Sequence, residues 1–118
     1  ALVAHSRPGN ILGKVLAAGQ ETYAQMGFAD EWKHHHQGGI VGYEPRELLA
    51  VPDSEEMIHA GQALSWNPSI SGAKIEDTIL IGQQSNEILT ATSLWTMTSI
   101  QVQGTPYQVP CSGVLEID

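Results

Sequence analysis

Positive charge is scarce in this chain. Its 118 residues hold 5 Lys and Arg against 13 Asp and Glu, a formal net charge of −8, and no cationic run occurs anywhere. A surface of that sign repels phosphate backbones, which excludes nucleic acid as a partner class. Cysteine is scarcer still. Cys111 stands alone, so an internal disulfide and any CxxC metal site are excluded. No apolar run approaches the roughly 20 residues that cross a bilayer, so no membrane partner is expected. The opening ALVAHSRPGN lacks the charged-then-apolar layout of a secretion signal. G-x-S-x-G, P-loop and GxGxxG signatures are missing, and so are internal repeats and low-complexity segments. These absences describe a soluble, acidic chain, and the expected location is cytoplasmic.

What is present suffices for a core. At 42% hydrophobic, residues 1–118 read as a single domain. The first residue is Ala1 rather than Met, which fits a processed chain or a piece of a larger protein. Apolar residues at Ile11, Leu12, Val15, Leu16, Ala18, Tyr23 and Met26 predict an amphipathic helix over residues 10–25, with Gly27 where a left-handed C-cap falls. The histidine stretch after it reads as a strand running into a glycine-rich bend. Pro45 and Pro52 bracket a short extended piece, and residues 53–60 read as a helical turn or short helix. From Gln62 the period becomes that of strands, over residues 63–67, 73–82, 88–90 and 94–102. Pro106 and Pro110 make the tail at best an edge strand or ordered coil. The class is α+β with mostly antiparallel strands, and residues 94–118 carry no assigned role.

SWNPSISGAKIED folds naturally into a hairpin around a two-residue loop, Ser71-Gly72. That loop makes Asn67 and Glu76 direct cross-strand neighbours, with Cβ atoms about 4.5–5.5 Å apart. Trp66 then points away from their face. An Asn beside a tight turn and a Glu on a solvated sheet face account for the pair without any ligand. Two oxygens offered to one ligand is the other reading, and with an imidazole they suit Mn, Zn, Co or Fe.

Three of the five histidines, His34, His35 and His36, are adjacent. On a strand, His34 and His36 face one way and His35 the other, so at most two serve one site. Tags sit at termini, which excludes one here. His5 and His59 have no partner pattern and read as structural or exposed. Gly38 and Gly39 permit close backbone approach. Nothing around Cys111 favours a Cys–His pair over a buried thiol, and Tyr43, Glu44, Arg46 and Glu47 read as a surface network.

In this order the motifs resemble the C-terminal half of the pita-bread metallopeptidases: methionine aminopeptidases, Xaa-Pro aminopeptidases, prolidases and the metal-free creatinases. The resemblance spans residues 8–90, and its most specific pieces are KIEDTILI and HQGG. It implies half of a pita-bread fold, a curved antiparallel sheet with one long N-terminal helix and a short second one. His36 takes the place of the metal-binding imidazole, and Glu76 that of the final bridging carboxylate. Asn67, followed by Pro68, takes that of a Glu-Pro metal ligand. Tyr43, seven residues after His36, replaces a histidine that contacts substrate and moves protons. The implied cofactor is a divalent metal (Mn, Co or Zn) that activates water against a peptide or dipeptide substrate, with Tyr43 and Glu76 in the catalytic machinery.

The departures from the family pattern are substantial. Asn67 is neutral, Tyr43 is no ready proton shuttle at neutral pH, and nothing upstream of the helix supplies the family's two aspartate ligands. Asp30 is too close to His36 to serve. Two functions therefore stay open. One is a fragment, inactive alone, of a metal-dependent aminopeptidase or dipeptidase of Xaa-Pro type. The other is a metal-free or inactive homologue, a creatinase-like hydrolase or a protein that binds peptides or small molecules. A half-fold exposes apolar surface where its other half belongs, so self-association or a homodimer is expected.

Overall fold

Leu12, Val15, Leu16 and Gly19 recur at i, i+3, i+4 and i+7, and they are the buried stripe of α2 (Leu12–Gln25). The computed structural model describes residues 1–94 and 96–111. Helix α2 ends as the sequence predicts, with Gly27 at φ +86° just beyond it. A one-turn helix, α1 (Leu2–His5), packs across it where Gly19 lacks a side chain. A Cβ there would lie 2.6 Å from Leu2 Cδ2.

The helices cover an antiparallel sheet in the order β2-β1-β3-β6-β7. Its strands are β1 (Gly38–Val41), β2 (Leu48–Leu49), β3 (Ala63–Trp66), β6 (Asp77–Leu80) and β7 (Glu87–Ile88). Between β3 and β6 the hairpin tip forms its own short ladder, β4 (Ser69–Ile70) with β5 (Ala73–Lys74). Leu64, Trp66, Ile79 and Ile81 meet Leu12, Val15 and Leu16 in one core, closed by Leu2, Ala50 and Ile58. The α+β expectation is borne out, with a curved antiparallel sheet and two helices.

One register runs through the hairpin. Ala63 pairs with Leu80 and Trp66 with Asp77, and beyond a break Ser69 pairs with Lys74 and Ile70 with Ala73. Ile75 N–H donates to Pro68 O (3.1 Å) inside the break. Asn67 and Glu76 are therefore opposite one another, as the Ser71-Gly72 loop requires.

Three expectations are corrected. The histidine stretch is not a strand: Glu31–His34 form a 3₁₀ turn, His35 after it is extended, and strand pairing starts at Gly38. The Gln37 side chain holds that turn by donating to Trp32 O (3.1 Å) and His35 O (2.9 Å). Residues 53–60 are not helical either. Their main chain bonds instead to the approach of α2, through Leu12 N to Glu56 O (2.8 Å) and Ile58 N to Asn10 O (2.8 Å). The short second helix is thus α1, at the other end of α2. Cys111 is exposed rather than buried.

The tail forms a two-stranded ribbon, β8 (Thr96–Val102) with β9 (Thr105–Cys111). Its loop, Gln103-Gly104, has both residues at positive φ (49° and 79°), the conformation that two-residue hairpins favour. β9 is an edge strand, as its prolines require. Residues 112–118, the rest of the tail, lie outside the described residues.

Gly38 and Gly39 set how closely the central strands meet. A Cβ on Gly38 (φ +122°) would lie 2.0 Å from Ser65 O, and one on Gly39 (φ +156°) 2.0 Å from Leu48 O. Gly9 also has a positive φ (+88°) but open space around it. Gly9→Ala is therefore expected to cost only the left-handed strain of about 1–2 kcal/mol. Gly38→Ala adds a backbone collision and is expected to cost at least twice as much, as read by urea unfolding of the two variants.

Candidate functional site

The pleat puts Ser65 and Asn67 on one face of the hairpin's first strand and Glu76 and Thr78 opposite them. That face is polar, yet Ser65 and Asn67 are buried (2% and 4% exposed). Thr78 Oγ1 donates to Ser65 Oγ (3.3 Å), and Ser65 Oγ donates to Glu76 Oε1 (3.4 Å). On the other face Trp66 is buried, its indole N–H donating to Ser6 Oγ (2.9 Å).

Two cations reach the Glu76 carboxylate. Arg46, from the bend between β1 and β2, places Nη2 2.9 Å from Oε1, and Lys74 Nζ lies 3.4 Å from Oε2. The hydrogen bond from Arg46, and then the one from Lys74, hold the carboxyl below its usual value against the opposing effect of partial burial. The His36 imidazole is also held below its ordinary value. Loss of surrounding water contributes most, then the positive charges of Arg46, His35 and Lys74, with Glu76 opposing. His36, Arg46, Lys74 and Glu76 thus form one electrostatic cluster.

Asn67 sits beside it with a polar atom unsatisfied. Its main-chain N–H donates to Gln37 O (2.9 Å), but the buried Oδ1 has no hydrogen-bond partner among the described residues. Tyr43 is not brought in. It is 98% exposed, in the bend beyond β1. His5 bonds Ala1 O through Nδ1 (2.9 Å), and His59 is exposed, as expected of histidines without a site. Sequence reasoning placed Arg46 in a surface network; its pairing with Glu76, 30 residues on, depends on how the β1–β2 bend folds over the hairpin.

No protein-family model matches the chain, and no curated protein does. Solved structures do match. A prolidase from Pyrococcus horikoshii OT3 superposes with a TM-score of 0.68 at 24% identity, over 78% of this chain and 28% of that one. The dipeptidase PepE from Mycobacterium ulcerans gives 0.67 at 26% identity, over 78% and 26%. A prolidase from Pyrococcus furiosus gives 0.67 at 24%, over 78% and 29%. This chain has the pita-bread fold. It spans little more than a quarter of the length of these proteins.

A metal pair, which the peptidases of this fold imply, would have to be held by this cluster. Among the described residues no three His, Cys, Asp or Glu converge so as to hold a metal ion. The Glu76 carboxylate is engaged at Oε1 by the Arg46 guanidinium, and the residue opposite it, Asn67, is a neutral amide. The residues present do not fit a two-metal centre.

Removing Arg46 tests this electrostatic account. Arg46→Ala is expected to raise both the His36 and the Glu76 pKa, followed by NMR titration, because the guanidinium lowers each. The signs for stability are opposite in origin but alike in direction. Glu76 contributes stability above the ordinary glutamate value of about 4.3, and this is lost as pH falls through its lower folded value. His36, harder to protonate when folded, costs stability as pH falls below about 6.5. In Arg46→Ala the loss of stability between neutral pH and pH 4 is expected to shrink; an unchanged acid profile would remove Arg46 from the cluster.

Proposed function

We propose that this chain is part of a metal-independent pita-bread protein that binds or processes peptides or small amide-bearing molecules. The observation that carries this reading is the Arg46–Glu76 pair, with Asn67 opposite. Where a bridging carboxylate would need a dication, the protein supplies a guanidinium 2.9 Å away. A charged pair so placed satisfies the carboxylate from within the chain. The cluster retains hydrogen-bonding groups suited to a polar ligand: the Asn67 amide, the His36 ring and the Lys74 ammonium.

The metal-dependent reading, an aminopeptidase or dipeptidase of Xaa-Pro type completed by aspartates from outside this chain, is favoured by one specific observation. The unpartnered, buried Asn67 Oδ1 is an oxygen opposite Glu76. On that reading His36, Glu76 and Asn67 would be ligands to Mn, Co or Zn.

Metal analysis of the full-length protein, in which those outside aspartates are present, separates the two after loading with Mn, Co or Zn. Under the metal-independent reading, less than one ion per chain is retained after desalting. Asn67→Glu is then expected to lower stability, since it buries a second carboxylate beside one that is already paired. Retention of two ions per chain, or a gain in metal affinity in Asn67→Glu, would instead favour the peptidase.

A further inference from the structure

Ser69 Oγ lies 2.5 Å from His35 Nε2. The other ring nitrogen, Nδ1, faces the main-chain oxygen of His36. A carbonyl only accepts, so the proton sits on Nδ1 and Nε2 presents its lone pair to Ser69. The serine hydroxyl is therefore the donor. That is the tautomer and direction by which an imidazole withdraws a proton from an attacking hydroxyl, with the third position taken by a backbone carbonyl.

The pair is held from behind. The Tyr23 hydroxyl accepts from Ser69 N–H (2.7 Å) and lies 2.8 Å from Ser69 O and 2.9 Å from Gln37 Oε1. Gln37, 2% exposed, donates through Nε2 to His35 O (2.9 Å). One Tyr23–Gln37 bridge thus clamps the main chain of both Ser69 and His35. Clamping of that kind fixes the geometry a nucleophile and its base need before substrate arrives.

Ser69 also lines a cavity of about 450 Å³, walled by Leu2, Tyr23, Trp66, Ile70 and Val109. Its size lies in the range of small-ligand sites, and its walls suit an apolar chain.

We propose that Ser69 and His35 are a nucleophile–base pair for hydrolysing esters of apolar acyl groups, the acyl chain occupying this cavity. Ser69 Oγ bonds to the acyl carbon while His35 Nε2 takes the hydroxyl proton. The ester C–O bond breaks, and the leaving alcohol receives that proton. Water then adds to the acyl-Ser69 carbonyl, giving its proton to His35. The acyl–Oγ bond breaks, the carboxylic acid departs, and the proton returns to Ser69. This goes beyond the reading of the Arg46–Glu76 cluster and needs no metal.

The test is a fluorophosphonate probe on the purified protein in EDTA, with intact mass and peptide mapping, beside hydrolysis of p-nitrophenyl esters from acetate to octanoate. One adduct on Ser69 is expected, together with rates that rise with acyl length. Ser69→Ala abolishes both, and His35→Gln slows both by about 10²–10⁴-fold, with circular dichroism reporting that each variant is folded. No adduct, an adduct elsewhere, or ester hydrolysis unchanged in Ser69→Ala overturns the proposal. Since the probe acts on the unaltered protein, a variant that fails to fold does not blunt the result. Two retained metal ions per chain would count against the metal-independent reading and leave this outcome unaffected.

Discussion

The β3–β6 hairpin and its single register govern everything placed around it. Side chains alternate with a period of two, so a slip of one residue would carry Asn67 and Ser65 into the apolar core and Trp66 and Leu64 out of it. The register is pinned at the tip by Ser71-Gly72, with Gly72 at φ +86°, and at the base by the buried pair Leu64 and Ile79. Between those fixed ends the ladder opens for two residues on each side. Asn67 and Glu76 fall in that opening, where their main chains are less committed and their side chains meet Arg46 and Lys74.

The glycine pair after the histidines extends this control sideways. Gly38 and Gly39 bring β1 so close to β3 and β2 that no Cβ fits. That approach carries the β1–β2 bend over the polar face and delivers Arg46 to Glu76. It also anchors Gln37, whose side chain ties back to Trp32 and His35. The loop carrying the histidines is thus ordered from its far end, by the sheet. On one side this places His36 in the charged cluster. On the other it seats His35 against Ser69. Adjacent histidines serve different surroundings because the backbone is extended at His35, which sends successive side chains in opposite directions.

Much of this was legible in the sequence wherever the deciding interaction is local. The helix stripe, its glycine cap, the hairpin loop and hence the Asn67–Glu76 pairing all follow from short-range periodicity and turn chemistry. Failures came where distant partners decide. Residues 53–60 have an acidic start suited to a helix, but their carbonyls and N–H groups are taken by Asn10 and Leu12, more than forty positions earlier. The histidines look strand-like, yet a glutamine side chain folds the turn before them. Tyr43 stands at the family's spacing from His36, but β1 ends at Val41 and the chain has turned outward before Tyr43 is reached. Ser69 and His35 are 34 residues apart, and no spacing rule joins them.

The β8–β9 ribbon presents an unusual border among the described residues. In a hairpin with a two-residue loop, the residues flanking the loop exchange hydrogen bonds, so Thr105, Tyr107 and Val109 turn their N–H groups toward β8. Pro106, Gln108 and Pro110 then face outward, and only one of these three has an N–H to offer. A further strand approaching β9 would find nearly every donor missing along that border. Polymerisation edge to edge is thereby discouraged on this side. Along this border an association of copies must instead be built from side chains, and the exposed Met97 and Ile100 of β8 are apolar groups close to hand.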